Sequence, residues 1–391
     1  MKVVLAYSGG LDTSVCVRIL QEKYGYDVVT VTVDVGIDKK EIEEAEAKAR
    51  TLGVVEHYTI DAREEFVRDY IFRAIKANAN YEGYPLSTAL ARPLIAKKIV
   101  EIAEKKGAEA LAHGSTGKGN DQFRFEAVFR TLVPEKKIIA PVRELNLTRE
   151  ESIAYARKHD IPVAAKKDKP WSIDENLWGR SIEGGELENP ASKPSDEIFE
   201  WTRVKRKETE YLDIYFEEGV PQKLNGKRFA PVELIMEANK IAGEHGIGKI
   251  DMIEDRIVGF KARENYECPA ASVLIEAHRA LEALTLTRQE LRFKAGVEQN
   301  WSELVYHGLW NEPLRFALDA FTDTTNSRVT GNVRLRLENK SFAVVSRSSP
   351  YSLYSLEAVS FEDKSMNQRE VEGILKYHSY QPGRYYAVKK L

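Results

Sequence analysis

Two glycine loops carry the residue types that bind phosphate and small charged ligands. The first, Tyr7-Ser8-Gly9-Gly10-Leu11-Asp12-Thr13-Ser14, follows an apolar run and opens an amphipathic stretch. Paired glycines let the backbone approach a ligand closely, and Ser8, Thr13 and Ser14 add hydroxyl donors. A helix starting here would add free N–H groups and the positive end of its dipole, which together suit phosphate. Asp12 is out of place, because a carboxylate repels phosphate. It can cap the helix or hold the Mg²⁺ that accompanies a polyphosphate, and the loop alone leaves both open. The second loop, His113-Gly114-Ser115-Thr116-Gly117-Lys118-Gly119-Asn120-Asp121, is followed closely by Arg124. Lys and Arg suit carboxylates and Asp suits an amine, so this mixture fits a small zwitterion; a solvated turn is the plainer alternative. Neither loop is a Walker A box: the first lacks the Lys, and the second has Gly119 where Ser or Thr is required.

The flanking pattern says how such loops would be held. Val3–Tyr7, Asp27–Val35, Val54–Ile60, Ala108–Ala112 and Lys137–Pro141 read as strands. Between them Asp12–Tyr24, Lys39–Leu52, Arg63–Ala77 and Arg92–Lys106 read as helices, with Thr148–His159 after the last strand. This alternation predicts a parallel sheet with helices on both faces. Both glycine loops follow parallel strands, so both should open on the same sheet edge, where such sheets bind ligands. The turn-rich segment 166–200 breaks the rhythm. Beyond it Thr209–Phe216 and Pro221–Ala230, which contains Asn225-Gly226, read as strands. Helices are predicted over Val232–His245 and over Ala271–Val305, the latter broken near Thr285–Thr287, and an antiparallel pair over Ser327–Ser346. This half is expected to be α+β, ending in a tail too short to fold alone.

Composition narrows the class. With 391 residues, 58 Lys+Arg against 61 Asp+Glu leave a formal charge of −3, far from the basic excess of a polyanion binder. Cys16 and Cys268 form no metal or disulfide pattern, which fits a reducing cytosol. There is no HExxH, no apolar stretch of the ~18–20 residues that a membrane helix needs, and no signal-peptide pattern. A cytoplasmic protein is expected.

The order Ser8-Gly9-Gly10, then Asp12-Thr13, directly after the first strand is the pattern of PP-loop ATP pyrophosphatases, which cleave ATP between its α- and β-phosphates. Longer motifs sharpen this. The stretch from Tyr81-Glu82-Gly83-Tyr84 to Ala91-Arg92-Pro93, His113–Arg124, Pro170-Trp171-Ser172-Ile173-Asp174-Glu175-Asn176-Leu177, Glu254–Tyr266, and Ser348-Ser349-Pro350 with Ser352-Leu353-Tyr354 resemble the argininosuccinate synthase family. They occur in the same order over almost the whole chain. The resemblance implies an α/β fold: a parallel-sheet nucleotide-binding domain of the PP-loop ATP pyrophosphatase (adenine nucleotide alpha hydrolase-like) type over 1–165, an α+β synthetase domain over 166–360, and a C-terminal oligomerisation tail over 361–391. It implies a cytoplasmic homotetramer that acts on ATP, citrulline and aspartate, with Mg²⁺ and without nucleic acid or membrane. By motif, Ala6, Tyr7, Ser8, Gly9, Gly10, Leu11, Asp12, Thr13, Ser14, Val33 and Gly114 fall to ATP, with Asp12 a candidate Mg²⁺ ligand. Thr116, Asn120 and Asp121 fall to aspartate. Tyr84, Asn120, Arg124, Ser172, Ser181, Glu254 and Tyr266 fall to citrulline. The family often has a serine contacting citrulline where this chain has Ala89, so that contact is lost unless Ser87 or Thr88 substitutes.

The implied reaction is attack of the ureido oxygen of citrulline on the α-phosphate of ATP, giving a citrullyl-adenylate, followed by displacement of AMP by the aspartate amine. No Cys–His or Ser–His pairing is evident, in keeping with a reaction that needs no covalent catalytic residue. The alternatives are another AMP-forming ligase of the PP-loop type and a non-catalytic nucleotide-sensing module.

Overall fold

The near-continuous apolar runs form a sheet buried on both faces. In the computed structural model, which describes residues 1–162 and 171–389, β1 (Lys2–Ala6), β2 (Asp27–Asp34), β3 (Glu56–Asp61), β4 (Ala110–Ala112) and β5 (Lys137–Ile139) pair in parallel in the order β3-β2-β1-β4-β5. Val3 and Leu5 pack on one side with Val15 and Ile19 of the helix Leu11–Glu22. Val4 and Val29 face the other side, with Leu94 and Ile99 of the helix Ser87–Lys105. The predicted parallel α/β arrangement is therefore present. The strand order reverses at β1 and β4, so the crevice expected for a ligand lies at their carboxyl ends. The helix read over Arg63–Ala77 is present with a π-helical turn at Phe66–Ile71. The boundary placed between residues 165 and 166, and Pro170, lie outside the described residues.

Among the described residues the second part holds nine strands: β6 (Ser172–Asn176), β7 (Gly179–Glu183), β8 (Glu210–Glu217), β9 (Val220–Leu224), β10 (Lys227–Arg228), β11 (Lys249–Asp255), β12 (Lys261–Glu267), β13 (Gly331–Glu338) and β14 (Ser341–Ser348). They form two antiparallel sheets, β10-β9-β8-β13-β14 and β11-β12-β7-β6. Asn225 and Gly226 have φ of 49° and 78°, the signature of the tight turn expected of this dipeptide; it splits the strand read over Pro221–Ala230 into β9 and β10. The long helical stretch breaks where predicted, into Pro269–Thr285 and Arg288–Tyr306, and Thr287 with Glu290 forms a capping box on the second helix.

The four-stranded sheet was not legible. The segment 166–200, read as loops, contributes β6 and β7, and their sequences are rich in charged and polar residues. One face of this sheet lines a polar site and so shows no apolar alternation. The helices Asp121–Leu132 and Pro313–Asn326 also went unread, the first because its opening residues belong to the second glycine loop. Residues Met1–Tyr351 form one compact unit, and Ser352–Leu391 form another. The second carries the helices Val371–His378 and Tyr380–Lys389, buries none of its described residues, and exposes Phe361, Ile374, Leu375 and Tyr377.

Candidate active site

The first glycine loop turns directly from β1 into the helix Leu11–Glu22. Gly10 occupies the cap position with no side-chain capping bond, so Asp12, two residues further in and within the first turn, is not the cap. The helix start is thus left open to an anion. Inside the loop the Ser8 hydroxyl accepts from Gly10 N (3.3 Å) and lies 3.2 Å from Thr13 Oγ1, and Tyr7 OH lies 3.2 Å from Ser14 Oγ. The loop has no basic residue of its own, but Lys48 donates to the Gly9 carbonyl at 3.0 Å from the neighbouring helix Lys39–Thr51. Burial pushes the Asp12 carboxyl up, against the pull of Ser152 and Arg149. Gly9 has φ +72°, and a Cβ there would stand 2.7 Å from Ala45 Cβ. Gly9→Ala is expected to combine left-handed strain of ~1–3 kcal/mol with this clash, raising the KM for ATP at least about tenfold. Unchanged ATP kinetics would show that the loop's geometry is dispensable.

The second loop meets the first. β4 lies beside β1, and a Cβ on Gly114 would sit 3.1 Å from Thr13 Cγ2 and 3.3 Å from Thr13 N. The two loops therefore share one edge, as expected, and Val33, near the end of β2, lies on that edge too. His113 anchors the second loop. It is fully buried, stacks on Phe125 and stands 3.5 Å from Glu126 Oε1. His113, together with Arg130 and Arg143, pulls the Glu126 carboxyl down to about 2. A depressed carboxyl contributes stability that is present above its unfolded value near 4.5 and lost as pH falls toward 2. Glu126→Gln is expected to lower Tm at neutral pH and to flatten the fall of Tm over that acid window. A fall as steep as in the unaltered chain would contradict this.

Most of the remaining sequence-identified residues, joined by Tyr306, Asp174 and Arg92, form a closed circuit of contacts. Asn120 Nδ2 donates to Tyr306 OH (2.9 Å), and Tyr306 OH donates to Glu254 Oε1 (2.9 Å). Tyr266 OH donates to Glu254 Oε2 (2.9 Å). Tyr266 stacks on Tyr84 at 4.2 Å and pairs with Ser181 across β12 and β7. Ser181 pairs with Asp174 across β7 and β6, and Asp174 accepts from Arg92. Arg92 Nε donates to Asp121 Oδ2 (2.8 Å), and Arg124 to Asp121 Oδ1 (3.2 Å). Arg124 Nε also donates to the Tyr306 carbonyl (3.1 Å). Ser172 lies at the exposed end of β6, on the face of Asp174. Thr116 is exposed in the second loop, outside this circuit. Buried Ala89 offers no polar atom, while Ser87 Oγ lies 3.2 Å from Tyr84 OH, and Tyr84 OH accepts from Thr88 N (2.6 Å).

The charges are arranged in opposed layers. Burial pushes Asp121 up, but Arg92 and Arg124 outweigh it and hold its carboxyl below the usual range. Burial wins at Asp174 and at Glu254 despite Arg92 and the two phenols, and both carboxyls lie above their ordinary values. On the same sheet face, burial with the charges of Glu183 and Glu254 pushes Glu264 up to about 9. Cations from the glycine-loop side thus face acids from the β11-β12-β7-β6 sheet, an environment that can orient a zwitterion end to end. Sequence reasoning missed Tyr306 and gave no role to Arg92 and Asp174, although the last two stood inside quoted motifs. For Tyr306 no local signal existed, since it ends a helix far along the chain.

A glycine loop at the switch point of a β3-β2-β1-β4-β5 parallel sheet, with a second domain closing over that edge, defines a nucleotide-binding synthetase of the HUP class. Residues 2–162 match the family model for the arginosuccinate synthase N-terminal HUP domain, and 171–385 match that for the arginosuccinate synthase C-terminal domain. The chain is 62% identical over 389 residues to argininosuccinate synthase of Methanocaldococcus jannaschii, covering 99% of this chain and 98% of the relative. It is 57% identical to that of Methanococcus maripaludis (98% and 97% covered) and 58% to that of Methanothermobacter thermautotrophicus (98% and 96%). The chain belongs to the argininosuccinate synthase family.

Proposed function

We propose that this chain condenses citrulline and aspartate to argininosuccinate, converting ATP to AMP and pyrophosphate through a citrullyl-adenylate. The observation that carries this reading is the contact circuit. It joins Asn120, Asp121 and Arg124, which follow the second glycine loop, to Tyr84, Ser181, Glu254 and Tyr266, while Gly114 of that loop rests on the ATP loop. The ureido oxygen is a weak, neutral nucleophile on a carbon without a leaving group. Adenylation turns that oxygen into part of AMP, which the aspartate amine can displace. Catalysis then rests on positioning and charge neutralisation.

In this reading Ser8, Gly9, Gly10 and the open helix start hold the departing pyrophosphate, with Ala6, Tyr7, Leu11, Thr13 and Ser14 shaping the loop, and Val33 and Gly114 flank the nucleotide. Among the described residues no cluster of three or more His, Cys, Asp or Glu side chains is placed to hold a metal. Asp12, a single carboxylate, fits Mg²⁺, which is commonly held by one or two carboxylates plus substrate phosphates; the ion would supply charge neutralisation. Thr116, Asn120 and Asp121 take aspartate. Tyr84, Asn120, Arg124, Ser172, Ser181, Glu254 and Tyr266 take citrulline. Asp121, kept ionised by Arg92 and Arg124, orients the amine and is a poor acceptor for its proton. Residues 1–165 act as the ATP domain, 166–360 complete the amino-acid sites, and 361–391 form an arm whose exposed Ile374, Leu375 and Tyr377 are covered in a homotetramer. No helix among the described residues is long and apolar enough to cross a membrane, and both cysteines are free and buried, which supports a cytoplasmic setting. The test is AMP formation from ATP and Mg²⁺ with citrulline, aspartate, both or neither. Full turnover is expected only with both, and AMP formation indifferent to citrulline would overturn the reading.

A further inference from the structure

We infer that Tyr306 is a positioning residue that couples the aspartate and citrulline subsites through a single hydroxyl. The inference rests on the assignment of Asn120 to both amino acids and of Glu254 to citrulline made above. Tyr306 is fully buried at the end of the helix Arg288–Tyr306, and its hydrogen bonds have one possible direction. Asn120 Oδ1 accepts from Ile257 N (3.0 Å), which fixes the amide so that Nδ2 donates to the Tyr306 hydroxyl (2.9 Å). The hydroxyl, already accepting, sends its one proton to Glu254 Oε1 (2.9 Å), while Tyr266 satisfies Oε2. A carboxylate accepts from both phenols without needing a proton of its own. The amide beside the second glycine loop and the carboxylate on β11 are thereby held in one directed chain.

The ring and the hydroxyl of Tyr306 do separate work. The ring stacks on Tyr81 (3.7 Å, 10° between planes) and lies 5.1 Å from the Arg124 guanidinium. The Tyr306 backbone carbonyl accepts from Arg124 Nε. None of these contacts needs the hydroxyl. The links to Asn120 and Glu254 need nothing else. Tyr306→Phe therefore removes the coupling and keeps the packing. It leaves Asn120 Nδ2 without its acceptor and Glu254 Oε1 without its donor in a site where Glu254 is 3% exposed. Binding one substrate tightens the chain at its own end and so prepares the other end, and such coupling must be reciprocal.

The experiment uses the full chain. Steady-state kinetics of Tyr306→Phe are expected to show the KM values for citrulline and aspartate both raised about tenfold, with the KM for ATP within about twofold. A packing role alone predicts no change in Tyr306→Phe and loss of stability in Tyr306→Leu. Amino-acid KM values that stay within twofold, a rise in only one of them, or an equal rise for ATP would each overturn the coupling. A second measurement needs no variant. Citrulline is titrated into the unaltered protein with and without aspartate, in the presence of an ATP analogue whose α–β bridge cannot be cleaved. Aspartate is expected to tighten citrulline binding about three- to tenfold, within the usual range of site–site coupling, and independent affinities would overturn the inference. Were the unaltered protein to make no citrulline-dependent AMP, the functional reading would fall and the coupling with it. Full activity with unchanged Tyr306→Phe kinetics would overturn the coupling alone.

Discussion

Asp12→Asn is expected to lower pyrophosphate release about a thousandfold or more while leaving Tm unchanged or slightly raised. The two parts of this result have separate causes. The carboxylate sits in the first turn of the helix Leu11–Glu22, yet the cap position belongs to Gly10, so the fold does not rely on Asp12 for capping. Burial pushes its carboxyl up, which means that keeping the charge at neutral pH costs stability. A neutral side chain of the same shape removes that cost. What the amide cannot do is hold the cation that would neutralise the phosphates in a loop without Lys or Arg of its own. Release of pyrophosphate at near the original rate would show that Asp12 holds no metal.

Arg124→Ala is expected to raise the KM for citrulline about a hundredfold, the scale of a lost charge-assisted contact in a buried site. Arg124 is 4% exposed and held from three sides: it donates to Asp121, donates to the Tyr306 carbonyl, and lies over the Tyr306 ring. Its Nε and Nη1 are engaged, which leaves part of the guanidinium fork for a substrate carboxylate. The variant also strips two hydrogen bonds from the core of the site, so a stability loss of about 1–3 kcal/mol should accompany it. Arg92 still pairs with Asp121, which keeps that carboxylate from standing alone. A citrulline KM that does not move would remove Arg124 from the substrate site.

The ATP side of the site was readable because its signals are local. A buried strand, two glycines and an amphipathic helix lie within some twenty residues, and the apolar runs of β1 and β4 place both glycine loops on one edge. The helix break at Thr287 was readable for the same reason, since its capping box is written in four consecutive residues. The amino-acid side was readable only through family motifs. β6, β7, β11 and β12 spend one face on Asp174, Ser181, Glu183, Glu254, Glu264 and Tyr266, so the alternation that marks a half-buried strand is absent. The partners that close the circuit are far apart in sequence: Arg92 reaches Asp174, and Asn120 reaches Tyr306. Such pairings are set by how the two domains meet, and no local pattern encodes them.

The central claim is that the ureido oxygen of citrulline attacks the α-phosphate of ATP and departs with AMP. Citrulline carrying ¹⁸O in its ureido group, turned over with ATP and aspartate, tests it directly by mass spectrometry of the products. The account predicts one ¹⁸O in the phosphate of AMP and none in pyrophosphate or argininosuccinate; AMP without label would contradict it.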